Sequence, residues 1–119
     1  MPVVDRRAAR AARTPPSVVV RCAEPGPGLR AIQAGLEEEG VPVRVEDAPG
    51  GDVTTLAFGA AQASSLGVGI GVDADGVVCV HHAKRPSDSP VLVAPPAGAR
   101  VCGHNAARLV IGLPLKTLD

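Results

Sequence analysis

Apolar positions along the chain switch period several times, and each switch marks an element. Val18, Val19 and Val20 form a short β-branched run, the mark of a buried strand. Pro25-Gly26-Pro27-Gly28 breaks it. Leu29, Ile32 and Leu36 then recur at helical spacing, with Ala31 and Ala34 between them. Gly40 is placed as the C-terminal cap of that helix, and Pro42 stops its continuation. Val41, Val43 and Val45 alternate as a second strand. After the Pro49-Gly50-Gly51 turn, Asp52 is placed to cap a helix over 53–64.

The next segment, Gly67-Val68-Gly69-Ile70-Gly71-Val72, alternates strictly. Its valines and isoleucine share one face. The opposite face is bare glycine, which lets another backbone or a helix approach closely. Asp73-Ala74-Asp75-Gly76 reads as a turn, so Val77 to His82 should return as the second arm of a hairpin. Val91 to Val93 adds a short strand. A last helix covers about 100–111, with Cys102, Ala106, Leu109 and Val110 inward, Gly112 as cap and Pro114 beyond it.

The order β-α-β-α-β-β-(β)-α predicts an α/β fold: one three-layer domain with a mostly parallel sheet, one antiparallel hairpin arm and about three helices. Its 119 residues suit a single domain with a core of its own. At 45% hydrophobic and 20% charged the chain is too apolar for disorder, and no apolar run approaches the roughly 18 residues of a membrane span.

Composition removes several functions. Phe58 is the one aromatic residue, which argues against base-stacking nucleic-acid modules. Net charge is zero, so no overall field steers the chain to DNA or anionic lipid. Residues 1–16 carry Arg6, Arg7, Arg10 and Arg13 against Asp5, and no apolar stretch follows as in a signal peptide. They read as a disordered extension ended by Pro15 and Pro16, leaving a mildly acidic domain over 17–119. Three scattered cysteines, Cys22, Cys79 and Cys102, fit reduced thiols in the cytoplasm, not a secreted scaffold.

Most apparent motifs have bland explanations. Gly67, Gly69 and Gly71 lie inside a strand and lead into a hairpin, so a bound phosphate would meet no helix N-terminus. Asp73-x-Asp75-Gly76 starts like a calcium loop, but Lys84 stands where the twelfth-position acid should be. Cys79 and His81 share a strand face, whereas Cys102 and His104 on a helix point apart; neither pair has zinc-site spacing.

Glu37, Glu38 and Glu39 break a local rule. Three adjacent carboxylates occupy a helix C-terminus, where the macrodipole is negative. Carboxylates suit a hard cation such as Mg²⁺, but one cluster does not complete such a site, so further ligands would come from a partner. The bland reading is a solvated helix end. Asn105 and Arg108, three residues apart, share a helix face and either brace the helix or meet another subunit.

Taken together, Gly35-Leu36-Glu37-Glu38-Glu39-Gly40-Val41-Pro42, Ser64-Ser65-Leu66-Gly67-Val68-Gly69-Ile70, His81 with Pro86 and Pro90, and Asn105-Ala106-Ala107-Arg108-Leu109-Val110 with Gly112 and Pro114 resemble the small (β) subunit of the diol/glycerol dehydratase reactivating factor. The resemblance covers about 17–116 and implies the medium-subunit fold of the dehydratase itself. It implies a non-catalytic, chaperone-like subunit, with no catalytic or cofactor-binding residues of its own. Its expected partner is a large, actin-like ATPase subunit in a two-plus-two heterotetramer, and ATP or ADP is expected on that subunit alone. The expected client is a cobalamin-dependent diol or glycerol dehydratase, freed of damaged cobalamin by subunit exchange. The resemblance also implies Mg²⁺ at the subunit interface, reached by Glu38, with Glu37, Glu39, His81, Asn105 and Arg108 as interface residues. His82 and His104 depart from the family pattern, and the Arg-rich leader is outside it. Two rivals stay open: a medium subunit of the dehydratase, and a stand-alone metalloenzyme using the Cys and His pairs. The cytoplasm is the expected location, and microcompartment association is left open.

Overall fold

The computed structural model describes residues 15–118, so the leader lies outside the described residues except for Pro15 and Pro16. The elements follow as β1 (Val18–Cys22), α1 (Pro27–Glu38), β2 (Val43–Asp47), α2 (Val53–Ala63), β3 (Val68–Val72), β4 (Val78–His82), β5 (Leu92–Ala94), a 3-10 turn (Pro96–Gly98) and α3 (Ala99–Ile111). The five strands form one sheet in the order β2-β1-β3-β4-β5. β1 pairs in parallel with β2 and β3, whereas β4 pairs antiparallel with β3 and β5. The sheet is therefore mixed in equal parts: β5 carries the antiparallel region one strand beyond the expected hairpin.

The β1-α1-β2 and β2-α2-β3 crossovers run in opposite directions across the sheet. Right-handed crossovers then require α1 and α2 on opposite faces, and they lie there. α1 and α3 cover the face bearing Val18, Val20, Ile70, Val78 and Val80, and Ile32, Leu36, Cys102 and Ala106 complete this core. α2 covers the other face. The glycine stripe predicted from sequence meets it there: a Cβ on Gly71 would lie 2.6 Å from both the Ala57 nitrogen and the Val53 oxygen, and one on Gly69 would strike the backbone of Ala60 and Ala61.

The caps follow the sequence reading. Asp52 accepts a hydrogen bond from the Thr55 amide (3.0 Å) at the start of α2. Gly112, at φ +87°, ends α3. In the hairpin turn, the Asp73 carboxylate accepts from the amides of Asp75 and Val77, both at 2.9 Å.

Candidate functional site

The acidic tip is built by the end of α1. Val41 N–H bonds to Leu36 C=O and Gly40 N–H to Glu37 C=O, both at 3.0 Å, which is a Schellman closure with Gly40 at φ +77°. Buried Val41 packs in the same core as Leu36. This closure puts Glu37, Glu38 and Glu39 on the last helical turn and its cap, held against the core by the apolar pair.

What faces them is α3, and two glycines set the distance. A Cβ on Gly103 would lie 3.2 Å from the Gly35 Cα and would strike the Ile32 carbonyl; one on Gly35 would strike the Arg100 carbonyl. No side chain fits between the helices here. Three residues on from Gly35 comes Glu38, and three before Gly103 comes Arg100. Arg100 donates from Nε and one terminal nitrogen to the two oxygens of Glu38, at 2.8 and 2.7 Å. This guanidinium holds the Glu38 carboxyl below the ordinary carboxylate range, first through its hydrogen bonds and then through its charge, and His104 adds to the effect. Nε2 of His104 lies 3.5 Å from Glu38, and Nδ1 of the same ring takes a hydrogen bond from the Lys116 ammonium at 3.0 Å.

Glu39 has its own cation: Arg108 Nε bonds it at 3.1 Å, and Lys116 lies 4.0 Å away. Glu37 is exposed and, among the described residues, has no ion pair. The acidic helix end is thus matched by a basic row on α3 and the segment after it. That row offsets the unfavourable dipole term within the chain itself.

Asn105 is 1% exposed, and its carboxamide pairs with the backbone of Lys116 as a neighbouring strand would: Oδ1 accepts from N–H at 2.6 Å and Nδ2 donates to C=O at 3.0 Å. Arg108 also donates to the Pro114 carbonyl at 3.2 Å. Both side chains therefore fold the segment after α3 back along its own helix. His81 is fully buried on the α2 side of β4. Its Nε2 faces the Ser87 carbonyl (3.1 Å), which only accepts, so the ring proton is assigned to Nε2; Nδ1 then accepts from the His82 amide (2.9 Å) and lies 3.1 Å from the His82 carbonyl. Phe58 meets the ring edge-on, centroids 5.0 Å apart. Three of the six named residues, Glu38, Glu39 and Arg108, thus share the tip, and Asn105 lies beside it. Glu37 makes no ion pair with the basic row, and His81 lies under α2.

Arg100, His104 and Lys116 were not legible as counter-ions. Glu38 and Arg100 are 62 positions apart, and nothing periodic links them. Gly35 and Gly103, a small residue facing inward on each helix, were the available signal.

The carboxylates suit Mg²⁺ only as one ligand among several. Among the described residues no three His, Cys, Asp or Glu side chains converge as a metal site. Both Glu38 oxygens are engaged by Arg100, so a cation at Glu38 would have to displace that guanidinium. The cysteines make no such site either: burial pushes the Cys79 thiol up to about 11 and that of Cys102 up to about 12.

One open cleft of about 530 Å³ lies where the strand order reverses, between the C-terminal ends of β1 and β3. Its walls are mainly Pro, Gly and small or apolar side chains, and its charged residues, Glu24, Asp73 and Asp75, are all acidic, which opposes a phosphate. No helix among the described residues is long and apolar enough to cross a membrane.

Residues 15–116 match a family model described as dehydratase medium subunit. The chain is 36% identical over 109 residues to the diol dehydratase-reactivating factor small subunit of Klebsiella michiganensis, covering 87% of this chain and 86% of that one. It is 37% identical over 91 residues to the propanediol dehydratase-reactivating factor small subunit of Salmonella typhimurium, covering 73% and 78%. Among solved structures, a glycerol dehydratase reactivase chain superposes with TM-score 0.79 at 36% identity, over 88% of this chain and all of that one. A chain from diol dehydratase-reactivating factor complexed with ADP and Mg²⁺ gives TM-score 0.77 at 34% identity, over 87% of this chain and all of that one. The chain belongs to the dehydratase medium-subunit family and, within it, to the small subunits of diol and glycerol dehydratase-reactivating factors.

Proposed function

We propose that this chain is the exchangeable, non-catalytic subunit of an ATP-dependent reactivating factor. It pairs with a large ATPase subunit in a heterotetramer and yields its place to the medium subunit of a diol or glycerol dehydratase, so that damaged cobalamin escapes. One observation carries the reading. The same 15–116 segment matches a family described as dehydratase medium subunit, while its relatives of 36 and 37% identity are reactivating-factor small subunits. One domain surface serving both assemblies is what an exchange of subunits needs.

At the acidic tip, Glu38 would hold Mg²⁺ as one ligand of an ion otherwise held by the large subunit. The ion would supply a positive charge between the Glu38 carboxylate and its ligands on the large subunit. Glu37 and Glu39 would flank that contact. Arg108 and Asn105 would keep the segment after α3 in place beside it. His81 would act from beneath, by fixing the loop that carries Ser87.

The test is direct. The chain is mixed with the large subunit, ATP and dehydratase carrying an inactive cobalamin, and cobalamin release is followed by absorbance after gel filtration. Release that needs all three components supports the reading. Release without this chain, or no joint species with the large subunit under any nucleotide condition, refutes it. The family model's description keeps a second reading in view, a dehydratase medium subunit. Tight cobalamin binding with a catalytic dehydratase subunit would favour that one.

A further inference from the structure

The carboxylate proposed to meet a cation already holds one. Glu38 is gripped at both oxygens by Arg100, and the geometry of α1 against α3 makes that grip a built feature. The Gly35–Gly103 contact fixes both backbones, since the Arg100 carbonyl itself packs on Gly35. The side chains are free to part: that of Arg100 is 60% exposed and that of Glu38 43%. Swinging the guanidinium into water uncovers no core and leaves no buried polar group unpaired. We infer that Arg100 is a resident counter-cation for Glu38, which closes the carboxylate to divalent ions in the free subunit and gives it up only when docking presents a cation already held by the partner. The inference rests on the proposed role of Glu38 and adds what regulates it.

Two consequences follow from the chemistry. An ion free in solution competes with a tethered guanidinium at high local concentration, so the free chain should not load Mg²⁺ first. A partner-borne ion brings several ligands of its own and has only to outbid an exposed pair, which is weak. The exchange has no covalent step. One guanidinium leaves the carboxylate and returns when the subunits separate, which keeps the pairing reversible.

Isothermal titration of the full chain with the large subunit, in Mg²⁺ and in EDTA, tests this on four proteins: wild type, Arg100→Gln, Glu38→Gln and the double variant. Arg100→Gln should tighten pairing in Mg²⁺ by about two- to fivefold, the range of an exposed ion pair. It should have no effect in EDTA. Glu38→Gln should remove the Mg²⁺ dependence, and Arg100→Gln should then add nothing in the double variant. If Arg100→Gln leaves Mg²⁺-dependent pairing unchanged, or weakens it, while Glu38→Gln still abolishes the dependence, the counter-cation role is wrong and the Glu38 reading survives. If Glu38→Gln retains the full Mg²⁺ dependence, both fall. A second readout uses the wild-type chain alone: the Arg100 Nε–H resonance should not shift with millimolar Mg²⁺. A shift there would show that the free tip loads the ion directly, and would overturn the inference.

Discussion

Gly71→Ala isolates the contact on which the α2 layer depends. The added methyl would sit 2.6 Å from the Ala57 nitrogen and the Val53 oxygen and 2.9 Å from the Leu56 Cβ. Ordinary contacts begin near 3.4 Å, so helix and strand must separate by about 0.8 Å, within the range where overpacking is felt. The strand cannot retreat. β3 is held on both edges by β1 and β4, and its other face packs Val68, Ile70 and Val72 into the main core. The helix must therefore lift, and lifting it loosens Leu56, Ala57, Ala60 and Ala61 together with the Phe58 edge on His81.

Overpacking of this kind costs about 1–3 kcal/mol, and a backbone obstacle belongs at the upper end. In a domain of this size that lowers Tm by roughly 10–20 °C. Thermal melts followed by circular dichroism, with urea titrations for the free energy, measure it. A fall of less than about 3 °C would mean that the sheet and α2 are not in contact as described.

Other expectations are smaller. Gly28→Ala, in the first turn of α1 with nothing within 4 Å of the new methyl, should raise stability by about 0.4–1 kcal/mol, because only the unfolded chain loses freedom; a destabilised variant would contradict the open space seen there. Asn105→Ala should free the segment after α3. The Lys116 amide should lose its protection in hydrogen exchange, with about 1–2 kcal/mol of stability, while the helix amides stay protected. Cys79 and Cys102 should resist DTNB at pH 8 in the folded protein and react at once in denaturant. Their folded values, about 11 and about 12, stand above the ordinary 9.0. Above about pH 9 the unfolded chain therefore sheds thiol protons that the folded chain keeps, and stability should fall with rising pH by roughly 1 kcal/mol per thiol near pH 10. A flat profile from pH 8 to about 10 would refute the burial of these thiols.

The fold was legible where one element's own periodicity decided its partner. The Val68, Ile70 and Val72 alternation fixed which face of β3 is core, and the glycines between them announced a close neighbour. Gly40, Asp52 and Gly112 marked helix ends because cap chemistry is local. Even the second antiparallel pairing was half visible, since Val91 to Val93 read as a strand whose partner was unstated; its register on β4 is a long-range fact. The site was legible only on one side. The glutamate run is a sequence feature, but its neutralisation by Arg100, Arg108 and Lys116 depends on α3 crossing α1 at two glycines. Asn105 is the sharpest case. Its spacing to Arg108 put both on one helix face, and both turn out to bind the segment that follows their own helix.

The tip therefore answers its own electrostatic problem before any partner arrives, and this changes what the glutamates can be asked to do. A helix ending in three unmatched carboxylates would repel an acidic surface and attract any divalent ion in solution. With Glu38 and Glu39 matched, the end does less of either, and its Glu38–Arg100 pair is strong in geometry but weakly held because water reaches it. Such a surface binds by exchanging partners, not by adding them. For a subunit exchanged as proposed above, that would be the useful property. On the proposed exchange role, each contact given up on docking would be regained on release, leaving the free energy of pairing a small difference that the nucleotide state of a companion could reverse.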